Sequence, residues 1–333
     1  MAILDIQDLY TTFTIPAGQV QAVRGVTLRV AEGETVGIVG ESGSGKSVLM
    51  LSLLGLLPDN AQVRAQAMRF ADGDLGAMSG REKRRLLGSR IGMVFQDPMT
   101  SLNPLFTVEQ QLTEPLRIHQ GLRGAKARAR ALDLLRMVDM PSPENRLKQY
   151  PHEFSGGMRQ RVMIAIAIAC GPRLIIADEP TTALDVTIQA QILDLLRNLQ
   201  KELGTSTILI THDLGVISSM CRRVVVMYGG IVAEEGSLDE IFYSPRHPYT
   251  WGLLRSIPEA ETEHRLPLVP IPGSPPDMLA PPQGCPFAPR CRHAMPVCLR
   301  CAAPETELSP THKVRCHLTH PAAPQVRWEK EGL

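Results

Sequence analysis

Residues 40–47 read Gly40-Glu41-Ser42-Gly43-Ser44-Gly45-Lys46-Ser47, which is the run G-x-x-x-x-G-K-S. Glycines at these positions let a backbone wrap a polyphosphate with its N–H groups pointing inward, and the positive end of a following helix adds to the attraction. Lys46 is placed to bridge β- and γ-phosphates, and the Ser47 hydroxyl to bind Mg²⁺. A second cluster is Asp178-Glu179, reached directly from the apolar run Leu174-Ile175-Ile176-Ala177. A carboxylate at such a strand end holds Mg²⁺ through water, and its neighbour orients or deprotonates an attacking water. Taken alone, the same acid pair reads equally as an N-cap for the next helix. A third is Phe154-Ser155-Gly156-Gly157-Met158-Arg159-Gln160, where Ser155 and two glycines open a helix and form another anion-ready terminus. Two phosphate-recognition turns in one chain imply that the second serves a nucleotide held mainly by another subunit.

The elements that must carry these residues follow from periodicity. Residues 1–40 read as short strands broken by turns, ending in the β-rich run Thr35-Val36-Gly37-Ile38-Val39. A helix is expected from Lys46 to about Leu57, stopped by Pro58. Residues 60–90 are ambiguous, and residues 107–150 read mostly helical. A helix over Gly156–Cys170 precedes the buried strand at 174–177. Ile188, Ile192, Leu195, Leu196, Leu199 and Leu203 recur at helical spacing, and the strand Thr207-Ile208-Leu209-Ile210 leads to Thr211-His212-Asp213. Strands alternating with helices give an α/β domain with a largely parallel sheet.

Composition narrows the class. Among 333 residues, 35 Lys and Arg offset 34 Asp and Glu, for a net charge of +1, so no broad basic footprint for nucleic acid is present. No charged segment followed by an apolar stretch opens the sequence, and the longest strongly apolar run, Val162 to Cys170, is far short of the roughly 20 residues that span a bilayer. Of 27 prolines, 17 lie in residues 244–333, and five of seven cysteines lie from Cys285 onward. The chain changes character near residue 245, which predicts an ATPase-type domain over 1–245 with a helical part over about 105–170, and a small Pro- and Cys-rich extension over 246–333 in which loops replace the helix-and-strand pattern. The tail cysteines are Cys285, Cys291, Cys298, Cys301 and Cys316. In a reducing compartment such a group holds metal more readily than disulfides, and thiolates suit both zinc and iron–sulfur clusters. Spacing alone does not choose between them.

Taken together, these motifs resemble the ATPase subunits of ABC transporters, a P-loop NTPase fold with a β-rich subdomain and a helical signature subdomain. Gly40–Ser47 is similar to the Walker A motif, Leu174–Asp178 to the Walker B, and Glu179 to the catalytic glutamate. Gln96, in Val94-Phe95-Gln96-Asp97-Pro98, resembles the Q-loop glutamine that reaches Mg²⁺ together with Ser47 and Asp178. Ser155, Gly156, Gly157 and Met158 resemble the signature, Ala183-Leu184-Asp185 the D-loop, and His212 the switch histidine. Phe13, with Tyr10 close by, resembles the aromatic residue that stacks on adenine. The resemblance implies two such domains packed head to tail with ATP between them, closing on ATP and opening after hydrolysis to drive membrane subunits. DNA-repair and chromosome-organising ATPases share these motifs. They insert long coiled coils between the Q-loop and the signature, and no sustained heptads separate Gln96 from Ser155 here.

The runs Gln96-Asp97-Pro98-Met99-Thr100-Ser101-Leu102-Asn103-Pro104 and His247-Pro248-Tyr249-Thr250, with the cysteine tail, resemble the oligopeptide/dipeptide/nickel importer group. Phe154-Ser155-Gly156-Gly157-Met158-Arg159-Gln160-Arg161 resembles its D-type subunit, which pairs with an F-type ATPase. This implies a peripheral protein on the cytoplasmic face of the inner membrane, with two membrane-spanning permease subunits, an extracytoplasmic peptide-binding protein and no nucleic acid. Its substrate is implied to be peptide, with nickel, glutathione and antimicrobial peptides as alternatives. In that group the tail binds a [4Fe–4S] cluster. The matching ligands are Cys285, Cys291, Cys298 and Cys316, with Cys301 either spare or a substitute for Cys298.

Overall fold

The short apolar runs become parallel strands, as segments buried on both faces do. In this computed structural model, which describes residues 2–71, 73–182, 184–256 and 270–326, Ile91–Val94 pairs with Leu174–Asp178, and the latter with Ser206–Thr211. These strands belong to one of two compact units, formed by residues 1–4, 29–35 and 69–210. In the same unit the helices Val108–Gln120, Gly124–Met137 and Gly156–Ile168 bury Leu112, Leu116, Leu134, Leu135, Val162 and Ile164. Full burial of each such side chain is worth about 1.5–3 kcal/mol. The Thr107 hydroxyl and the Gln110 side chain close a capping box at the first of these helices, and Gly121, in the left-handed conformation, ends it. Gly92 lets the signature helix lie close on its strand, because a Cβ there would meet the Ala167 carbonyl oxygen at 2.2 Å.

The other unit comprises residues 5–28, 36–68 and 211–333. Val36–Val39, within the buried strand Thr35–Val39, runs parallel to Arg223–Val226. Arg223–Tyr228 then pairs antiparallel with Ile231–Ser237, Ile231–Ser237 with Lys313–Val314, and Lys313–Val314 with Thr306–Glu307. The C-terminal extension thus adds two strands to this sheet. Glu234, wholly buried, accepts from the Arg246 and His247 backbone N–H groups at 2.6 and 3.0 Å and bonds His312 Nε2 at 2.8 Å. A buried carboxylate is tolerable only with partners of this kind.

The structure departs from the sequence expectations in three places. The first 31 residues form two long strands, Ala2–Ile15 and Gly18–Ala31, which run on through left-handed residues at Asp8 (φ 48°) and Gly25 (φ 71°). The helix from Lys46 stops at Leu54, because Gly55 (φ 66°) caps it three residues before Pro58. The Pro-rich tail also holds a helix, Pro248–Arg255, with Pro at its first position and His247 as N-cap.

Glu240 fastens the extension to the helix Leu238–Tyr243. Burial works against its ionisation. Hydrogen bonds from Ser309, from the Ser237 backbone and side chain, and from Thr311 outweigh that effect and hold its carboxyl at about 2. Since this lies below the ordinary 4.5, the stabilisation is present above pH 4.5 and is lost as pH falls toward 2. Glu240→Gln is therefore expected to lower stability by about 1 kcal/mol at pH 7, allowing for solvent screening. Thermal melts of both proteins should converge as pH is lowered from 5 to 3; a deficit independent of pH would contradict the carboxylate's role.

Candidate nucleotide site

The loop Gly40–Gly45 joins the buried strand Thr35–Val39 to the helix Lys46–Leu54. Its glycines are demanded by the backbone. Gly40, Gly43 and Gly45 have φ of 159°, 78° and 99°, and a Cβ on Gly40 or Gly45 would meet the Met227 or Ala22 carbonyl oxygen at 2.2 or 2.5 Å. Gly45 is the N-cap and places no side chain over the helix's first turn, so a ligand can approach this helix start closely. Buried Lys46 donates from Nζ to the Gly40 and Glu41 carbonyl oxygens at 2.7 and 3.0 Å and to Ser44 Oγ at 3.4 Å. Its ammonium therefore stays inside the loop that the sequence assigned to phosphate.

Phe13 and Tyr10 lie on opposite faces of strand Ala2–Ile15 by the alternation of side chains. Phe13 shares its face with Thr11, whose hydroxyl is 2.7 Å from that of Ser52 on the loop's helix. The Tyr10 ring lies instead beneath the Arg64 guanidinium, 4.7 Å from its centroid. His212 is exposed, just after the strand Ser206–Thr211 and just before Asp213, which caps the helix Leu214–Met220.

In the other unit, Asp178 ends its strand almost wholly buried, and Glu179 follows in the left-handed conformation (φ 45°) with its N–H on the Ile210 carbonyl at 2.8 Å. A non-glycine residue there is uncommon and marks a constrained position. Glu179 Oε2 accepts from Gln96 Nε2 at 3.0 Å and from Thr182 Oγ1 at 2.9 Å. The structure thus brings together Gln96 and Glu179, 83 residues apart, and adds Thr182, which no motif singled out. Exposed Ser155 caps the helix Gly156–Ile168 by accepting from Met158 N–H at 3.4 Å. A Cβ on Gly157 would strike Ile188 at 2.7 Å, so the signature turn packs against the helix Val186–Leu203. Asp185 caps that helix, accepting from Ile188 N–H at 2.9 Å, so the N-cap of the helix after the acid pair is Asp185 and not Asp178 or Glu179. Ala183 lies outside the described residues.

Cys285, Cys291, Cys298 and Cys316 line one cavity of ≈ 10 Å³, walled also by His247 and His317. Cys301 is exposed and not among these residues. Burial pushes the Cys291 thiol to about 11 and Cys316 to about 12, with Cys285 and Cys298 adding to the rise at both. Among the described residues no three His, Cys, Asp or Glu side chains converge to hold a single metal ion. No described helix is long and apolar enough to cross a membrane.

Residues 23–182 match the family model for the ABC transporter, and residues 233–298 the model for the oligopeptide/dipeptide transporter C-terminal region. The chain is 51% identical to the oligopeptide transport ATP-binding protein OppD of Bacillus subtilis over 97% of its own length and 91% of that protein. It is 51% identical to the dipeptide transport ATP-binding protein DppD of the same organism, over 95% and 94%, and 50% identical to OppD of Salmonella typhimurium, over 89% and 88%. A solved ATP-binding cassette, a dimer in a post-hydrolysis state bound to ADP and Pi, matches with a TM-score of 0.61 and 31% identity over 71% of this chain and 98% of that one. With its phosphate loop, its paired acids and its C-terminal extension all matched in one chain, the protein belongs to the ABC transporter ATPases, in the branch of the oligopeptide and dipeptide transport ATP-binding proteins.

Proposed function

We propose that this chain binds and hydrolyses MgATP at Gly40–Ser47 and thereby powers the import of di- or oligopeptides through a membrane complex. The observation that carries the reading is the phosphate loop, with its left-handed glycines, its helix start lacking a side-chain cap and its internal Lys46. Relatives named for oligopeptide and dipeptide transport, aligned over nearly the whole chain, support the substrate class.

In this reading the amides of Ser42, Gly43 and Gly45 face the phosphates, Gly40, Glu41 and Ser44 shape the loop around them, Lys46 neutralises them, and Phe13 stacks on the adenine. The resemblance to ABC ATPases assigns Mg²⁺ to Ser47, Gln96 and Asp178, and there it would neutralise charge developing on the transferred phosphoryl group. Glu179 takes the proton of the attacking water. Its oxygen is already oriented by Gln96 and Thr182, so it is positioned before substrate arrives. His212 reads the γ-phosphate. Ser155, Gly156, Gly157 and Met158 close on the ATP of a second subunit, with Asp185 beside them. The γ-phosphate is then the ligand that distinguishes closed from open, because it contacts both halves.

The signature run Phe154–Arg161 supports an F-type ATPase as that second subunit. Two permease subunits, an extracytoplasmic binding protein and a place on the cytoplasmic membrane face complete the assembly. We assign a [4Fe–4S] cluster to Cys285, Cys291, Cys298 and Cys316. Cys285, Cys291, Cys298 and Cys316 line one cavity and would hold it as four thiolate ligands, the donor set such a cluster takes. Bound there, it cross-links a loop-rich segment that has little other core.

The test is the complex purified with its co-expressed permeases and partner ATPase. Peptide-loaded binding protein is expected to stimulate ATP turnover severalfold, and iron to be present at about four per chain, falling away in Cys285→Ser and Cys316→Ser. Stimulation by nickel or glutathione and not by peptide overturns the substrate. One zinc and no iron overturns the cluster.

A further inference from the structure

We propose that Tyr249 and Arg290, both in the C-terminal extension, are positioning residues for the phosphate loop and set its affinity for ATP. The inference rests on Gly40–Ser47 being the ATP site.

Glu41 is the second residue of that loop, and each of its polar groups is tied. Its carbonyl accepts from Lys46 Nζ at 3.0 Å, within the loop itself. Its N–H donates to the Tyr249 hydroxyl at 2.8 Å. Its carboxylate receives a two-pronged grip from Arg290, with Nη1 to Oε2 at 2.5 Å and Nη2 to Oε1 at 3.0 Å. Two of the three restraints thus come from residues more than 200 positions along the chain.

Arg290 is held as a rigid fork. Nε donates to the Pro272 carbonyl at 2.7 Å, Nη2 to the Ile271 carbonyl at 3.1 Å, and Nη1 to the Tyr228 hydroxyl at 3.1 Å. Its side chain is only 5% exposed, and its guanidinium lies 5.8 and 6.0 Å from the Tyr228 and Phe287 ring centroids. Tyr228, Tyr249 and Phe287 pack on one another with centroids 4.5 to 5.4 Å apart. A bidentate, desolvated guanidinium–carboxylate pair fixes orientation as well as distance, which lysine does not reproduce. Arg290 also ends the short turn Ala288–Arg290 directly before Cys291, so the cysteine-lined cavity and the phosphate loop are joined through one side chain.

The loop's left-handed glycines leave it intrinsically free, and a loop that must be ordered on binding loses affinity. Tethering Glu41 on three sides orders it in advance. The bonds do not touch the reacting atoms, so they act on binding rather than on the chemical step.

The experiment measures KM for ATP and kcat on the assembled complex. Glu41→Ala and Arg290→Ala are each expected to raise KM roughly tenfold, the worth of one charge-assisted pair, with kcat within about twofold of wild type. The double variant should be no worse than either single one. Tyr249→Phe keeps the ring packing, loses the bond to the Glu41 N–H, and should raise KM roughly threefold. Unchanged KM in Glu41→Ala, or effects that add in the double variant, overturns the proposal. Should Arg290→Ala fail to fold, the Glu41 and Tyr249 variants still decide. Normal ATP binding by Lys46→Ala would instead remove the site assignment on which the inference rests.

Discussion

Lys46→Ala is expected to abolish ATP turnover by this chain's site, with kcat/KM falling at least about a thousandfold, or roughly 4 kcal/mol of transition-state stabilisation. Lys46 is buried, and its ammonium bonds the Gly40 and Glu41 carbonyl oxygens and Ser44 Oγ, so alanine removes a cation held within the loop's curl. The amides alone cannot offset the charge of a triphosphate. The buried loop carbonyls also lose their donor, which loosens the loop before nucleotide arrives. Photo-crosslinking of an azido-ATP into this chain reads its own site, whatever the partner ATPase contributes. Labelling at wild-type strength, with an unchanged melting temperature, would remove Lys46 from the site.

Glu179→Gln is the complementary case. Glutamine has the same shape and still offers an oxygen to Gln96 Nε2 and Thr182 Oγ1, so the geometry of the strand end is preserved. The left-handed backbone at this position is no harder for glutamine than for glutamate. What disappears is the capacity to take a proton. Turnover should fall by a hundredfold or more, about 3 kcal/mol, with KM for ATP little changed, and nucleotide should remain on the complex as ATP. Chromatography of the bound nucleotide makes the check: recovery chiefly as ADP, with normal steady-state hydrolysis, would move the base elsewhere. The two variants fail differently, one by not holding ATP and the other by not releasing it.

The chemistry was more legible in the sequence than the scaffold around it. Gly40–Ser47 and Asp178-Glu179 announce themselves because phosphate and Mg²⁺ require particular residue types at fixed spacing, and the strands 35–39, 174–177 and 207–210 are short runs rich in Val, Ile and Leu. The long first strands were not legible, because Asp8 and Gly25 have the local character of turns yet stand within continuous strands. His247-Pro248-Tyr249 is a helix start, with an N-cap followed by proline at the first position, and among so many prolines it passed as loop. Thr182 needed the geometry, since a threonine three residues past an acid carries no signal of its own. The Glu41–Arg290 pair spans 249 positions. No local pattern reaches that far, and both residues look like ordinary surface charges until the fold buries the guanidinium.

The two short strands that the extension lays beside Ile231–Ser237 bear on how this chain can be divided. A chain cut after residue 245 would leave Ile231–Ser237 as an open edge strand, with a row of unpaired amides and carbonyls inviting another chain to add on. The same cut would take away the Arg246 and His247 N–H groups and the His312 ring, the partners that make Glu234 tolerable where it lies. Insolubility of the truncated ATPase portion would then report exposed sheet edge and unmet charge, in addition to the loss of the Tyr249 and Arg290 tethers on the nucleotide loop.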